Sequence, residues 1–331
     1  MDESGDRNAQ GKGSWLRRRG SGRGSQAGDR ETSSNLAGDA GQSPAPGGPS
    51  LPTAIWTDSH CHLQDDPDPA ETVAAARKAR VGRMVCVGTD EVSSRRAVAL
   101  ADELSASRAS DQAGGPGPSP LSRGAEVWAT VGLHPHDSKR GLDQVVALLE
   151  ELIVSDGLRR SRVVAVGECG LDFHYDNSPR GVQRDVFAAQ VALANQHNLA
   201  LVIHTREAWE ETFSVLESEG VPRRTVFHCF TGGEQEAEQC LRIGAFLSFS
   251  GIVTFASAEE LRQVVLHCPL DSLLIETDSP FLTPVPYRGR RNSPSNVSLV
   301  GNAIGELKAF EPEVLAAVTW MNADKAFGLG G

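Results

Sequence analysis

The sequence predicts an α/β chain folded as a TIM (β/α)8 barrel, and three observations predict it. From Ile55 onward, short aliphatic runs alternate with amphipathic segments. The runs are apolar almost without a break, as strands buried on both faces of a parallel sheet must be. Eight of them fit into the 278 residues of 54–331, close to the roughly 250 that eight β/α units occupy.

Strands are expected at 54–59, at "RMVCVG" (83–88), "EVWATVGLH" (126–134), "RVVAVGE" (162–168), "LALVIH" (199–204), "RTVFH" (224–228), "GAFLSFS" (244–250) and "SLLIET" (272–277). Helical patterns lie between them, among them "PAETVAAARKAR" (69–80), "LDQVVALLEELIVSDG" (142–157) and "GVQRDVFAAQVALANQHN" (181–198). The last carries Val186, Ala189, Ala192 and Leu193 as an apolar stripe at helical spacing. An open doubly wound sheet is the alternative. Its dinucleotide-binding version is weakened because no GxGxxG follows the first strand.

Residues 1–53 are rich in Gly, Ser, Arg, Asp and Pro and read as a disordered leader to a single hydrolase-sized domain, 54–331. The stretch 105–124 has the same composition and reads as a flexible loop inserted between a helix and the next strand. The net charge is −11, and 1–53 holds seven basic and six acidic residues, which leaves −12 for the remainder. An acidic body argues against non-specific coating of nucleic acid, which needs a broad basic face. It permits an enzyme that meets nucleic acid in a small metal-lined pocket, because bound cations reverse the local field. Six cysteines without a CxxC read as free thiols in a reducing compartment. No apolar run approaches the roughly 18 residues of a membrane span, and the expected location is the cytoplasm.

The barrel makes a test possible, because its chemistry belongs at the C-terminal ends of the strands. The first strand ends in His60-x-His62, the fourth in Glu168, the fifth in His204 and the sixth in His228, and the eighth stops just before Asp278. Alternation along a strand puts His60 and His62 on one side while Cys61 points away. A lone strand-end histidine is more often an ordinary hydrogen-bonded residue, but six good ligand types at one end of five strands make a set. Four imidazoles and two carboxylates exceed what one four-coordinate ion needs. They suit two divalent ions, Mg²⁺, Mn²⁺ or Zn²⁺, that share a bridging carboxylate. Glu168 is the natural bridge, and Asp278 can bind a metal and accept the proton of an attacking water. His134, in "GLHPHD", faces the pocket mouth and is expected to contact substrate. His197 and His267 read as surface or helix-end residues.

The stretches "DSHCHL", "VGECGLDFHYD", "VIHTREA", "HCFTGG" and "ETDSPFLTPVPYRGRRNSPSNV" resemble the TatD family of metal-dependent deoxyribonucleases. The resemblance runs in the family's order from about residue 54 to the C-terminus. It implies an amidohydrolase-like TIM barrel, two divalent metals, and hydrolysis of DNA phosphodiesters, typically from the 3′ end. The family's ligands fall on His60, His62, Glu168, His204, His228 and Asp278, the six reached from strand position. The leader and the 105–124 insert lie outside the family pattern and inherit no role.

Around this set, Asp172 is expected either to orient a ligand imidazole or to cap a loop. Arg206 is expected to reach a phosphate or to pair with Glu207. Arg288, with Arg290 and Arg291, makes a basic patch after the last strand, where TIM barrels often bind phosphate. Aromatic residues are only 5% of the chain, so an extended stacking surface is not expected, and short engagement of a strand end is. DNA 3′ ends, single-stranded or damaged, are the expected substrate, with no membrane and no obligate protein partner. Three competing readings remain. A related barrel hydrolase of amide, lactone or small phosphate esters often bridges its metals with a modified Lys where Glu168 stands. A PHP-type phosphoesterase usually closes with Asp-x-His, where this chain has Asp278-Ser279-Pro280. A metal-containing quality-control or binding factor would show little turnover.

Overall fold

The computed structural model describes residues 54–111, 125–155 and 162–329. The leader expected over 1–53 lies outside the described residues, as does 112–124 of the expected inserted loop.

Eight strands form one parallel sheet in sequence order: β1 (Trp56–Cys61), β2 (Val81–Val87), β3 (Glu126–Val131), β4 (Val163–Asp172), β5 (Ala200–Arg206), β6 (Thr225–Phe227), β7 (Phe246–Phe249) and β8 (Leu273–Ile275). The chain beyond β8 returns to β1. Cys61 bridges Ser279, the Asp278 N–H donates to the His60 carbonyl at 2.9 Å, and the His62 N–H donates to that of Ser279 at 2.8 Å. The sheet is therefore a nearly closed barrel, the expected TIM fold.

Nine α-helices are described: α1 (Pro69–Lys78), α2 (Glu91–Asp111), α3 (Asp143–Ser155), α4 (Arg180–His197), α5 (Trp209–Glu219), α6 (Glu234–Arg242), α7 (Glu259–His267), α8 (Val297–Lys308) and α9 (Pro312–Phe327). α1 starts where Asp68 accepts a hydrogen bond from the Glu71 N–H and Pro69 takes the first turn, a position that needs no donor. α4 buries Val186, Phe187, Val191 and Ala194 and stops at Asn198, in the left-handed region at φ 50°. α2 continues through 105–111, so the first seven residues of the stretch expected to be a loop are helical. The third strand is shorter than expected, because Pro135 has no N–H for a ladder and opens a short 3-10 turn after His134. All six cysteines are unpaired. No helix among the described residues is long and apolar enough to cross a membrane.

The main core lies between sheet and helices. A second cluster, with Val85, Val87, Val164, Val202, Val226 and Leu274, is joined by Ala323, Ala326 and Phe327 of α9. α9 also meets the beginnings of the strands, where Arg83 bonds Asp324 at 2.8 Å and lies 3.9 Å over the Trp320 ring. α9 thus closes the N-terminal end of the barrel, and the C-terminal end stays open.

Candidate metal centre

Two irregularities in the sheet build the open end. Between β1 and β2, Asp58 pairs with Met84 and Cys61 with Cys86, so β1 carries an extra residue around Ser59 and His60. Between β4 and β5, Val166 pairs with Leu201 and Cys169 with Ile203, so Gly167 and Glu168 oppose Val202 alone. Such bulges bend a strand and re-aim its side chains. Glycine is required beside the second one. A Cβ on Gly167, at φ 137°, would lie 2.6 Å from the Val202 carbonyl oxygen, and one on Gly170, at φ 135°, would collide with that of His204. Cys61 points away, with its thiol toward the Val85 carbonyl, as strand alternation predicts.

The six expected ligands converge. Glu168 Oε2 is 3.4 Å from His60 Nε2 and 3.9 Å from His62 Nε2, and Asp278 Oδ1 is 3.8 and 3.4 Å from the same two atoms. The other oxygen, Oε1, is 2.9 Å from His228 Nε2 and 3.1 Å from His204 Nδ1. The two oxygens of one buried carboxylate therefore face two different sets of donors.

Three of the imidazoles are anchored through the nitrogen that faces away. His62 Nδ1 is 3.0 Å from the Val87 carbonyl, His204 Nε2 is 3.2 Å from Asp172 Oδ2, and His228 Nδ1 is 3.3 Å from Glu276 Oε1. A ring that donates on its far side keeps its near nitrogen free to ligate. His60 is different. It is fully buried, stacks on His228 at 3.9 Å, and neither of its ring nitrogens has a hydrogen-bond partner. A buried, unpartnered nitrogen aimed at two carboxylates is what a cation would satisfy. The donor set fits a metal ion, and three groups at this end lie close enough to hold one: His60, His62 and Glu168; His60, His228 and Glu276; and His134, Glu168 and His204.

Electrostatics point the same way. Burial pushes the His60 imidazole down, helped by the neighbouring His228. Burial also opposes charge on His62, yet the Asp278 carboxylate overcomes it and holds the imidazolium up to about 9. His228 is raised well above the ordinary value by Glu168 and Glu276, again against burial. Burial works against ionisation of Glu168, but the surrounding imidazoles hold its carboxyl well below the usual range. In the metal-free protein, protons on histidine stand where cation charge would be.

The other expected residues divide. His134 Nε2 is 3.3 Å from Glu168 Oε1, and its Nδ1 accepts from the His136 N–H at 3.2 Å. That bond leaves the proton on Nε2, so His134 presents a donor to the cavity, and burial holds it neutral with a pKa of about 4. Asp172 Oδ2 accepts from both His204 and, at 2.9 Å, His136. Arg206 lines the cavity with its guanidinium 4.7 Å over the Tyr175 ring, while Glu207 pairs with His174 at 2.7 Å. Arg288 lies 3.9 Å over Phe255 and is not among the residues that line the cavity. His267 is exposed on α7 beside Glu234.

Sequence reading missed Glu276 and Asp58. Both are fully buried carboxylates, two residues before Asp278 and His60 respectively. Glu276 Oε1 also accepts the Cys229 N–H at 2.7 Å, while Oε2 has no partner. Asp58 ties β1 to the end of β8 by accepting Thr277 Oγ1 at 2.6 Å and Thr277 N at 2.9 Å. Even spacing on the strand was the available signal for both. The whole set opens into a cavity of about 790 Å³.

Known proteins place this site in a family. The family model described as TatD related DNase matches residues 121–328. An uncharacterized metal-dependent hydrolase, YabD of Bacillus subtilis, is 38% identical over 274 residues, covering 82% of this chain and 98% of its own. The chain belongs to the TatD family. Another TatD relative, from Erwinia tasmaniensis, carries the name 3′-5′ ssDNA/RNA exonuclease and is 33% identical over 269 residues, 79% of this chain and 94% of its own. Among solved structures, the TatD homologue YJJV of Escherichia coli K12 superposes with a TM-score of 0.70 at 27% identity, covering 82% of this chain and 98% of that one. Membership in the TatD family makes the protein a metal-dependent hydrolase with an eight-stranded barrel.

Proposed function

We propose that this protein is a two-metal phosphodiesterase that shortens single-stranded DNA from its 3′ end, a 3′-5′ exodeoxyribonuclease. The observation that carries the reading is the Glu168 carboxylate, whose Oε2 faces His60 and His62 while its Oε1 faces His204 and His228. One divalent ion would be held by His60, His62, Glu168 and Asp278, and a second by Glu168, His204 and His228. When bound, such a pair supplies an activated water and positive charge for the leaving oxygen.

The chain's own groups do the rest. The imidazoles beside Asp278 hold its carboxyl below the usual range against burial, so at neutral pH it is an ionised proton acceptor beside the cluster. His134 Nε2, whose proton faces Glu168 Oε1 at 3.3 Å, would turn it to a non-bridging phosphate oxygen once that carboxylate oxygen is engaged by a cation. Arg206, on the cavity wall, pairs with a phosphate of the incoming strand. Asp172 holds His204 in the tautomer that leaves Nδ1 toward Glu168. The name of the Erwinia relative supports nucleic acid as the substrate class. A cavity lined by Glu168, Asp172 and Asp278 admits a polyanion only once cations are loaded.

The test uses metal-stripped protein with 5′-labelled single-stranded DNA, adding back Mg²⁺, Mn²⁺ or Zn²⁺ singly, with Asp278→Ala alongside. A ladder that shortens from the 3′ end, only with metal and only in the unmutated protein, is the expected result. Turnover of small phosphate, amide or lactone esters without any DNA cleavage would overturn the substrate and keep the metal centre.

A further inference from the structure

Two large exposed aromatic side chains line the cavity into which the candidate metal ligands open, Phe281 at 58% exposure and Tyr175 at 55%. A single exposed apolar ring is ordinary on a protein surface. Phe281 differs in how it is held. Its N–H donates to the Asp278 carbonyl at 2.9 Å, and its carbonyl accepts from Asn292 Nδ2 at 2.7 Å. Asn292 is itself buried, and it also bonds the Thr277 carbonyl at 2.9 Å and the Pro280 carbonyl at 3.1 Å. The backbone under the ring is thus fixed to the same turn that carries Asp278, while the ring stands in solvent. Its centroid is 6.3 Å from that of His62, at an interplanar angle of 70°. On another part of the cavity lining, Tyr175 carries the Arg206 guanidinium 4.7 Å from its centroid, a cation-π contact that steadies both side chains.

We propose that Phe281 is a stacking platform for the unpaired nucleobase of the strand-terminal nucleotide whose phosphodiester reaches the metal cluster. The inference rests on the nuclease reading and deepens it by naming what recognises the substrate. A phenyl ring has no polar group, so it selects a flat π face and not a base sequence, which suits an enzyme that must accept every base. A base in a duplex has its faces covered by its neighbours, so the platform takes only a base that is already unstacked, at a single-stranded or frayed end. Tyr175 with Arg206 offers the second contact, a ring and a cation that together fit the next nucleotide and its phosphate. Fixing the ring on the Asp278 turn sets the distance between base and metal cluster, so stacking also positions the bond to be cut.

The experiment is a chemical cycle with the full chain loaded with its preferred metal. Two single-stranded oligonucleotides differ only at the 3′-terminal residue, one natural and one abasic. Wild type, Phe281→Ala and Phe281→Trp are compared on both. The expected result is a kcat/KM for wild type about tenfold lower on the abasic strand, carried mainly by KM. Phe281→Ala is expected to fall about tenfold on the natural strand and to leave the abasic strand unchanged, and Phe281→Trp to restore the preference. Equal losses on both strands, or none on either, would overturn the platform while wild-type cleavage keeps the nuclease reading. Failure of metal-loaded wild type to cut either strand would overturn the nuclease reading and the platform with it.

Discussion

At the N-terminal end of the barrel, Arg83 is buried yet fully engaged. It bonds Glu126 at 3.2 Å and Asp324 at 2.8 Å, and its guanidinium lies on the Trp320 ring. At the C-terminal end, His60 is buried at least as deeply, yet neither of its ring nitrogens has a hydrogen-bond partner. Glu276 Oε2 is also buried without one. Burying a polar group without a partner costs roughly 1–3 kcal/mol. Arg83 therefore completes its contacts from within the chain, although the same end also holds Thr57 Oγ1, Trp128 Nε1 and Arg224 Nε buried without partners. What sets the C-terminal end apart is that open atoms on His60 and Glu276 belong to side chains of metal-ligand type gathered in one cluster. At the C-terminal end the sheet bulges at His60 and Glu168, and Asp278 has a φ of 52°.

The difference can be broken or sharpened by substitution. The largest effect is expected for Glu168→Gln. Losing the shared carboxylate removes metal chemistry worth several kcal/mol, so kcat/KM should fall roughly 10³-fold or more. Because Glu168 is paired with the imidazoles around it, the thermal midpoint of the metal-free protein should fall as well, so kcat/KM is taken per folded molecule, and full activity in the folded variant would break the contrast between the two ends. Next is Phe327→Ala at the closed end. Emptying that site should cost about 3–5 kcal/mol in a denaturant titration, with metal affinity per folded molecule unchanged. Altered metal affinity in the folded variant would show that the ends are coupled.

Glu276→Gln tests a subtler point. It keeps an acceptor for His228 Nδ1 and removes the charge. Metal affinity by calorimetry should drop about 10- to 100-fold, while an unchanged affinity would reduce Glu276 to a bond with the Cys229 backbone. The smallest effect concerns protons. His62 is held up to about 9 in the metal-free protein, so at pH 7 it carries a proton that a ligand imidazole must lose. Metal binding should release more than about one proton at pH 7, one from His62 and a further share from His228, and the His62 share should fall as pH rises through about 9 while binding tightens. The stability that this raised pKa gives the metal-free protein is complete below about 6.5 and lost as pH rises through about 9. Calorimetry in two buffers of different ionisation enthalpy reads the release directly.

Much of the site was legible because strand alternation and barrel topology are simple rules. His60 and His62 sit one residue apart at the end of one strand, and His204 and His228 lie near the ends of two others, as position predicted, whereas Glu168, expected to end the fourth strand, sits at the bulge inside β4, which continues to Asp172. Glu276 and Asp58 were passed over because a carboxylate inside an apolar run looks like a strand boundary until its burial is known. The rim was less legible. Few aromatics gave no expectation of an extended stacking surface, and which of the few rings reach the cavity, Tyr175 after β4 and Phe281 after β8, was decided by the fold. Arg288 was singled out by its place in a basic run, and the structure holds it over Phe255 instead of in the cavity lining.

The sequence by itself determined the barrel and the six residues that meet at the C-terminal end of its strands. Those follow from periodicities of two and 3.6 residues, which any reader can count along one chain. The tertiary structure alone decided which oxygen of Glu168 faces which imidazoles, which nitrogen of each histidine is left open, and where the bulges fall. Each of those depends on a partner distant in sequence: Val87 for His62, Asp172 for His204, Glu276 for His228 and Val202 opposite Glu168. Local pattern fixes which face a side chain takes, and only the closed sheet fixes what it meets there.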